Sequence, residues 1–452
     1  MVRKAATVFS CTACGAQSPQ WMGRCPECGA WSTLVEERAA EAPPRGGAIV
    51  PSGSAPVRLS DGAAASVPRI PTGIADMDRV LGGGLVPGSV VLVGGEPGIG
   101  KSTLLLQVAA RLSERVGSVL YVSAEESARQ VKMRADRLDA SAPGLFLLPE
   151  TSLEAILEAA RAGAFGAIVV DSIQTIASAD APAAAGSVTQ VRACASRLLA
   201  LAKTTGVPVF LIGHVTKDGT LAGPKALEHL VDAVLSFEGE RFHAHRVVRA
   251  LKNRFGPVHE LGLFEMTGAG LIEVANPSAL YLGSGAGGRP GSVVLAGVEG
   301  TRPLLLEVQA LTVEAKYGSP RRTAIGFDGT RLALLLAVLE RHGGMSLSSH
   351  DVFLNVAGGA ESAEPAADLA VCSAVAGSFR GRALPAGTAV FGEVGLLGEV
   401  RAVSDAALRL KEAVSLGFRS ALVPAGNAAE AAAFPDVATL PLRSVEELLA
   451  KT

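Results

Sequence analysis

Residues 89–117 read SVVLVGGEPGIGKSTLLLQVAARLSERVG, and this stretch decides the fold. An apolar strand-like run stops at two glycines, and the segment that follows has the spacing of apolar positions expected of a helix. Between them Gly95, Glu96, Pro97, Gly98, Ile99, Gly100, Lys101 and Ser102 carry the G-x-x-x-x-G-K-S spacing. Strand, glycine loop and helix in that order make a phosphate-binding loop. The glycines let backbone N–H groups curl around phosphates, Lys101 reaches the β- and γ-phosphates, and the Ser102 hydroxyl helps to hold Mg²⁺, with Thr103 as a helper. In a chain with 52 glycines the bare spacing can arise by chance, so its strand and helix flanks are what make it specific. The ligand read from it is ATP with Mg²⁺.

Downstream, apolar strand-like runs alternate with helix-like segments from about residue 68 to 272, the pattern of a mainly parallel sheet covered by helices. GAIVVDS sets Asp171 at the end of a buried strand, where a carboxylate orients Mg²⁺ through water. VLYVSAEES, the strand after the loop helix, ends in Glu125 and Glu126, either of which could polarise an attacking water. In this order the region resembles the RecA-like ATPases. The resemblance favours Glu125 as general base and puts His214 and Thr216, after VPVFLIGH, where those motors sense the γ-phosphate. It also implies that the loops after Asp171 and His214 face DNA, with Arg192, Lys217 and Lys225 as candidate phosphate contacts.

Past the core strands, LKNRFG at 251–256 holds Lys252, Asn253, Arg254, Phe255 and Gly256. Two cations flanking a short turn can reach a phosphate. KNRFG resembles the motif that distinguishes the RadA (Sms) family of bacterial DNA repair proteins. Without that resemblance the pair reads as a solvated basic loop or a contact to the DNA phosphate backbone; the resemblance makes Lys252 and Arg254 fingers acting in trans on a neighbour's nucleotide, and implies a ring or filament.

At the N-terminus Cys11, Cys14, Cys25 and Cys28 form CxxC-x10-CxxC, each pair followed by a glycine. Four thiolates at this spacing suit tetrahedral Zn²⁺ far better than disulfides, since the two remaining cysteines, Cys194 and Cys372, stand alone. Trp21 and Trp31 lie within this module and read equally as its core or as a surface that stacks on bases or a partner protein. The Ala-, Pro-, Gly- and Ser-rich stretch that follows reads as a flexible linker.

Composition sets limits on the rest. With 452 residues, 48% hydrophobic and 19% charged, the chain suits two or three well-buried domains and excludes a largely disordered protein. A formal net charge of -2 gives no overall basic signal, so contact with nucleic acid depends on local clusters or on a site built between subunits. The strongest apolar run, LALLLAVL at 332–339, is too short to span a bilayer, and no apolar signal segment follows the initiating methionine; a cytoplasmic protein with no membrane partner is expected.

From NPSALYLG at 276 onward the chain resembles the Lon protease domain, most closely in GTAVFGEVGLLGEVRAV at 387–403. Ala366 stands where that resemblance requires the nucleophilic serine and Ala407 where it requires the lysine; Ser373 and Lys411 are nearby but out of register. Without a hydroxyl nucleophile and an amine base, acyl transfer has no route, so a scaffold or an extra DNA-binding surface is expected, the latter drawing on Arg321, Arg322 and Arg380.

The expected class is α/β: a four-cysteine zinc ribbon-like module at 1–36, a linker at 37–67, a RecA-like P-loop ATPase core at 68–272 and an inactive Lon protease-like domain at 273–452. The family resemblance implies a DNA-dependent ATPase of recombinational repair that loads on single-stranded DNA and drives branch migration of branched intermediates formed by the RecA recombinase, as a hexameric homo-oligomer. The competing readings are a Lon-like protease, a RecA-type filament and a nucleotide-gated DNA-binding scaffold.

Overall fold

A computed structural model describes residues 7–11, 17–18, 20–26, 29, 31–38, 68–181, 183–214, 225–239, 245–258, 260–283, 285–316, 319–359 and 361–452. The chain divides into two compact units, Met1–Val274 and Ala275–Thr452. The linker expected at 37–67 lies outside the described residues except for its first two, which belong to a strand ending at Arg38.

The first unit opens with three short antiparallel strands, β1 (Thr7–Cys11), β2 (Gln17–Ser18) and β3 (Leu34–Arg38), in the order β2-β1-β3. Cys11, Cys25 and Leu34 form a small buried cluster with Phe9 packed on it.

The rest of this unit is a nine-stranded sheet. Its strands are β4 (Val90–Gly95), β5 (Val119–Ser123), β6 (Leu145–Pro149), β7 (Ala167–Asp171), β8 (Val209–His214), β9 (Ala233–Glu238), β10 (His245–Asn253), β11 (Leu261–Thr267) and β12 (Gly270–Glu273), in the order β12-β11-β10-β9-β4-β8-β7-β5-β6. From β9 to β6 every pairing is parallel, and β10 to β12 extend the sheet antiparallel. The helices are α1 (Ala75–Val80), α2 (Lys101–Val116), α3 (Ala128–Arg137), α4 (Leu153–Ala162), α5 (Val188–Thr205) and α6 (Lys225–Glu228).

Alternation along the strands explains why both faces are covered. In β4, Val91 and Val93 join one apolar layer with Leu104, Leu105 and Val108 of α2, while Val90 and Leu92 join the other with Leu198 and Leu201 of α5. A strand buried on both faces reads as a continuous apolar run, as VVLV does here. Each fully buried Val or Leu contributes ~1.5–3 kcal/mol, so these two layers hold the strand ends rigidly for the site. Side-chain caps set several helix starts: Ser127 and Gln130 form a reciprocal capping box on α3, and Ser187 accepts from Gln190 N–H on α5.

The second unit contains α7 (Pro277–Tyr281), β13 (Ser292–Glu299), β14 (Arg302–Glu314), β15 (Arg322–Ile325), α8 (Gly329–Gly343), β16 (His350–Val356), α9 (Asp368–Arg380), β17 (Thr388–Val390), β18 (Glu393–Val394), β19 (Val400–Arg401), α10 (Ala406–Ser415), β20 (Ser420–Pro424), α11 (Ala428–Ala431), β21 (Ala438–Leu442) and α12 (Val445–Leu449). Seven strands form a mixed sheet in the order β15-β16-β14-β13-β17-β20-β21, and β18 pairs with β19 as a separate hairpin. Helix α9 carries an unbroken buried run from Asp368 to Gly377. Asp368 tolerates that burial because Arg331 of α8 pairs with its carboxylate and the Val394 N–H donates to it at 3.1 Å.

Candidate active site

The order of the parallel strands creates the site. β8 lies between β4 and β7, so the residue that ends β8 stands between the phosphate loop and Asp171. Gly95 pairs with His214, and Ser123 with Asp171, so the carboxyl ends of all four strands lie along one edge. Ligands of open α/β sheets bind at such an edge.

The loop after β4 needs its glycines for two different reasons. A Cβ on Gly95 would stand 2.6 Å from the Phe237 carbonyl of the neighbouring strand β9. Gly100 takes φ +119°, which L side chains rarely adopt. Gly100 is also the N-cap of α2 and offers no side chain to its first N–H groups, which suits a helix end that is to receive phosphate. Arg246 of β10 braces the loop from behind by donating Nε to the Ile99 carbonyl at 3.1 Å.

Lys101 is only 4% exposed. Its Nζ donates to the carbonyls of Gly95 and Glu96 at 2.8 Å each and meets His214 Nδ1 at 3.3 Å. Burial pulls its pKa down to about 8, against the opposing pull of Asp171, Glu125 and Glu96. His214 Nε2 stands 3.1 Å from Glu125 Oε1. With the ring proton on Nε2, the imidazole accepts from Lys101 on one side and donates to Glu125 on the other. Glu125 also accepts from the Ser172 hydroxyl. The His214 hydrogen bond above all, joined by Ser172 and the charge of Lys101, holds the Glu125 pKa down to about 2 although partial burial opposes it.

Asp171, buried at the end of β7, accepts from Tyr121 Oη at 2.6 Å. That bond orients the carboxylate, and the burial and the adjacent carboxylate push the phenol pKa well up. Glu126, the rival to Glu125, is paired with Arg134 of α3, and its backbone N–H is tied to Ser123 Oγ at 3.3 Å. The geometry therefore separates two neighbours that look alike in the sequence.

Lys252 and Arg254 do not join this cluster. Lys252 Nζ donates to the carbonyls of Glu228 and Val231, and burial lowers its pKa, with Arg254 adding to the effect. Arg254 NH1 lies 3.5 Å from the buried carboxylate of Asp232. Both sit at the amino end of the parallel strands, opposite the phosphate loop.

Other candidate residues are dispersed. Ser102 and Thr103 are half-buried on the first turn of α2 beside Lys101, Glu96, Pro97 and Gly98 are exposed on the loop, and Ile99 is buried under it. Arg192 is exposed on α5. Thr216 and Lys217 lie outside the described residues, as does the side chain of Lys225. Cys11 and Cys25 are buried together, with Cys11 Sγ donating to Thr33 Oγ1 at 3.1 Å, while Cys14 and Cys28 lie outside the described residues. The shared burial of two thiols from the two separate CxxC pairs fits one metal with a thiolate donor set. Trp21 and Trp31 are exposed, which removes the reading in which they form that module's core.

In the second unit Ala366 is buried just before α9, and Ala407 is exposed on α10. The nearest alternatives do not replace them. Ser373 is buried and spends its hydroxyl on the Leu369 carbonyl at 2.6 Å, and Lys411 is exposed. Arg321 is exposed; Arg322 donates to the Leu347 carbonyl at 3.0 Å, and Arg380 to the Thr452 carbonyl at 3.2 Å.

Sequence reasoning missed Tyr121, Ser172 and Arg246. Ser172 follows the strand-end aspartate directly, and Tyr121 is the one polar-tipped residue among the aliphatics of VLYV, two positions from the strand end, so a cross-strand reading could have found both. Arg246 gave no comparable signal.

Residues 57–220 match a family model described as an AAA domain, and residues 9–36 one described as a rubredoxin metal-binding domain. A DNA repair protein RadA of Pseudomonas aeruginosa is 52% identical over 428 residues, covering 94% of each chain. That of Bacillus subtilis is 50% identical over 428 residues, covering 94% of this chain and 93% of its own. That of Listeria monocytogenes is 45% identical and covers 99% of this chain and 98% of its own. Among solved structures, one ATPase domain aligns with 48% of this chain and 94% of its own at 15% identity, TM-score 0.40. No helix among the described residues is long and apolar enough to cross a membrane. With a zinc ribbon module ahead of a RecA-like ATPase core and this near full-length identity, the chain belongs to the RadA family of DNA repair proteins.

Proposed function

We propose that this protein is a DNA-dependent ATPase that loads on single-stranded DNA and drives branch migration as a hexameric ring. The observation that carries the reading is the chain from Lys101 through His214 to Glu125, beside Asp171, with two further cations kept at the far end of the same sheet. Lys101 neutralises the β- and γ-phosphates, and the N–H groups of Gly98 to Ser102 cradle them. Glu125, kept ionised, polarises and orients the attacking water, and His214 senses the γ-phosphate by its link to Lys101. Ser102 and Asp171 would hold Mg²⁺, which would supply charge neutralisation to the phosphates. Lys252 and Arg254 complete the site of a neighbouring subunit.

The four cysteines hold Zn²⁺ in the first module, residues 1–36. The unit after Val274 is a Lon-like scaffold without peptidase activity, because neither Ser373 nor Lys411 is placed as an activated pair. Branched DNA and the RecA recombinase are the expected partners in a cytoplasmic setting. The test is ATP hydrolysis by the purified protein with and without single-stranded DNA, with Lys101→Ala and Lys252→Ala beside it. DNA should raise turnover, and both substitutions should abolish it. DNA that binds without changing turnover would replace the motor by a nucleotide-gated scaffold.

A further inference from the structure

The two tryptophans take no part in the ATPase chemistry, yet both indoles are turned to solvent. Trp21 is 60% and Trp31 72% exposed, and the chain contains no other tryptophan. They converge over Gly23, where a Cβ would lie 3.8 Å from Trp31 Cζ3 and 4.0 Å from Trp21 Cη2. The backbone fixes this arrangement: Ser32 N–H donates to the Gly23 carbonyl at 2.8 Å, and Arg24 and Trp31 form an antiparallel bridge. The Arg24 guanidinium carbon lies 5.8 Å from the Trp31 ring centroid, and its Nε donates to the Gly29 carbonyl at 2.9 Å.

We propose that Trp21 and Trp31 form a stacking platform for the bases of single-stranded nucleic acid, with Arg24 beside it to meet the backbone phosphate. The inference rests on the DNA-binding reading above and assigns it a second contact, apart from the ATPase core. Indole faces accept any base, which suits binding without sequence preference. Gly23 puts no side chain beneath the two rings, so both indole edges rest on bare backbone there. Charge favours the occupant: the sequence from 1 to 36 holds Arg3, Lys4 and Arg24 against Glu27 and Glu36, and Arg24 lies beside the Trp31 ring, where a polyanion would meet it.

The test uses the full-length, zinc-loaded protein and titrates it with labelled oligo(dT) and with an abasic strand of equal length. Oligonucleotide anisotropy reports binding by the whole protein, and intrinsic fluorescence reports the two indoles alone. Trp21→Phe and Trp31→Phe leave one reporter each. The platform predicts that oligo(dT) quenches both indoles with the same saturation as the anisotropy, and that the abasic strand does not. It also predicts that the double alanine variant binds about tenfold more weakly, with the double phenylalanine variant restoring most of the loss. Retained zinc and unchanged DNA-free ATP turnover show that the variants are folded. Saturating anisotropy with unchanged fluorescence overturns the platform while DNA binding stands. Equal quenching by the abasic strand also overturns it, and anisotropy that never rises overturns both readings.

Discussion

Arg254 and Lys101 lie at opposite ends of one sheet. The Arg254 N–H donates to the Asp232 carbonyl at 3.0 Å, and the Asp232 N–H donates to Val90, the first residue of β4, also at 3.0 Å. Lys101 follows Gly95, the last residue of that strand. Five residues of strand separate the two levels by ~16 Å. A γ-phosphate held at Lys101 is therefore out of reach of Arg254 in the same chain, which is why the proposed finger acts on a neighbour.

Lys101 is the first place where function and stability should part. Its folded pKa of about 8 lies below the ordinary lysine value, so between about pH 8 and 10.5 the unfolded chain binds more protons and folding gains stability as pH rises. At neutral pH the buried charge is a burden on the fold. Lys101→Met should abolish turnover yet raise the melting temperature at pH 7, and the gain should shrink as pH climbs from 8 towards 10. ATP affinity of the unsubstituted protein should fall above pH 8 as Lys101 loses its charge. Thermal melts and nucleotide titrations across that range check both.

Glu125→Gln should lower kcat by about 10²-fold or more while ATP still binds, the usual cost of losing a general base. Glu126→Gln breaks only the pair with Arg134 and should leave kcat within about threefold, since a partly exposed ion pair contributes ~0–1 kcal/mol. Steady-state hydrolysis with a parallel nucleotide-binding assay separates the two.

Gly95→Ala should displace the loop from β9, because the new methyl would meet the Phe237 carbonyl at 2.6 Å. The expected result is lost nucleotide affinity with a stability cost of about 1–3 kcal/mol, read from ligand titration and denaturant melts.

Much of this was legible in the sequence where local pattern and chemistry coincide. The strand, glycine loop and helix around Lys101 are contiguous, so their order could be read directly, and Asp171, Glu125 and His214 each end an apolar run that announces a strand. What sequence could not supply is the third dimension. Nothing in AEES distinguishes Glu125 from Glu126 until Arg134 comes round on α3 to claim the second. Tyr121 and Ser172 meet their carboxylates across strands, and Arg246 braces a loop 147 residues away. KNRFG identified its cations, but only the register of β9 and β10 puts them at the end of the sheet remote from Lys101.

Asp232 and Arg254 give a further contrast. The Asp232 carboxylate is buried and accepts from Val90 N–H at 3.0 Å and Lys203 at 2.7 Å, besides facing Arg254. Asp232→Ala should cost about 1–3 kcal/mol, chiefly because it leaves the buried Val90 N–H without an acceptor, while Lys203 and Arg254 are exposed enough to be resolvated. Arg254 is 53% exposed, so Arg254→Ala should leave the melting temperature nearly unchanged while lowering DNA-stimulated turnover about 10³-fold. Paired melts and hydrolysis rates decide this.

The most direct test mixes two inactive proteins. Lys101→Ala lacks a working phosphate loop and Lys252→Ala lacks a finger, and each should be inactive alone. When the two are co-assembled in equal amounts, about one interface in four joins an intact loop to an intact finger, so ATP turnover with single-stranded DNA should recover towards about a quarter of the unsubstituted rate. If the mixture stays as inactive as its components although co-assembly is demonstrated, Lys252 does not act across a subunit boundary and the trans-acting site is wrong.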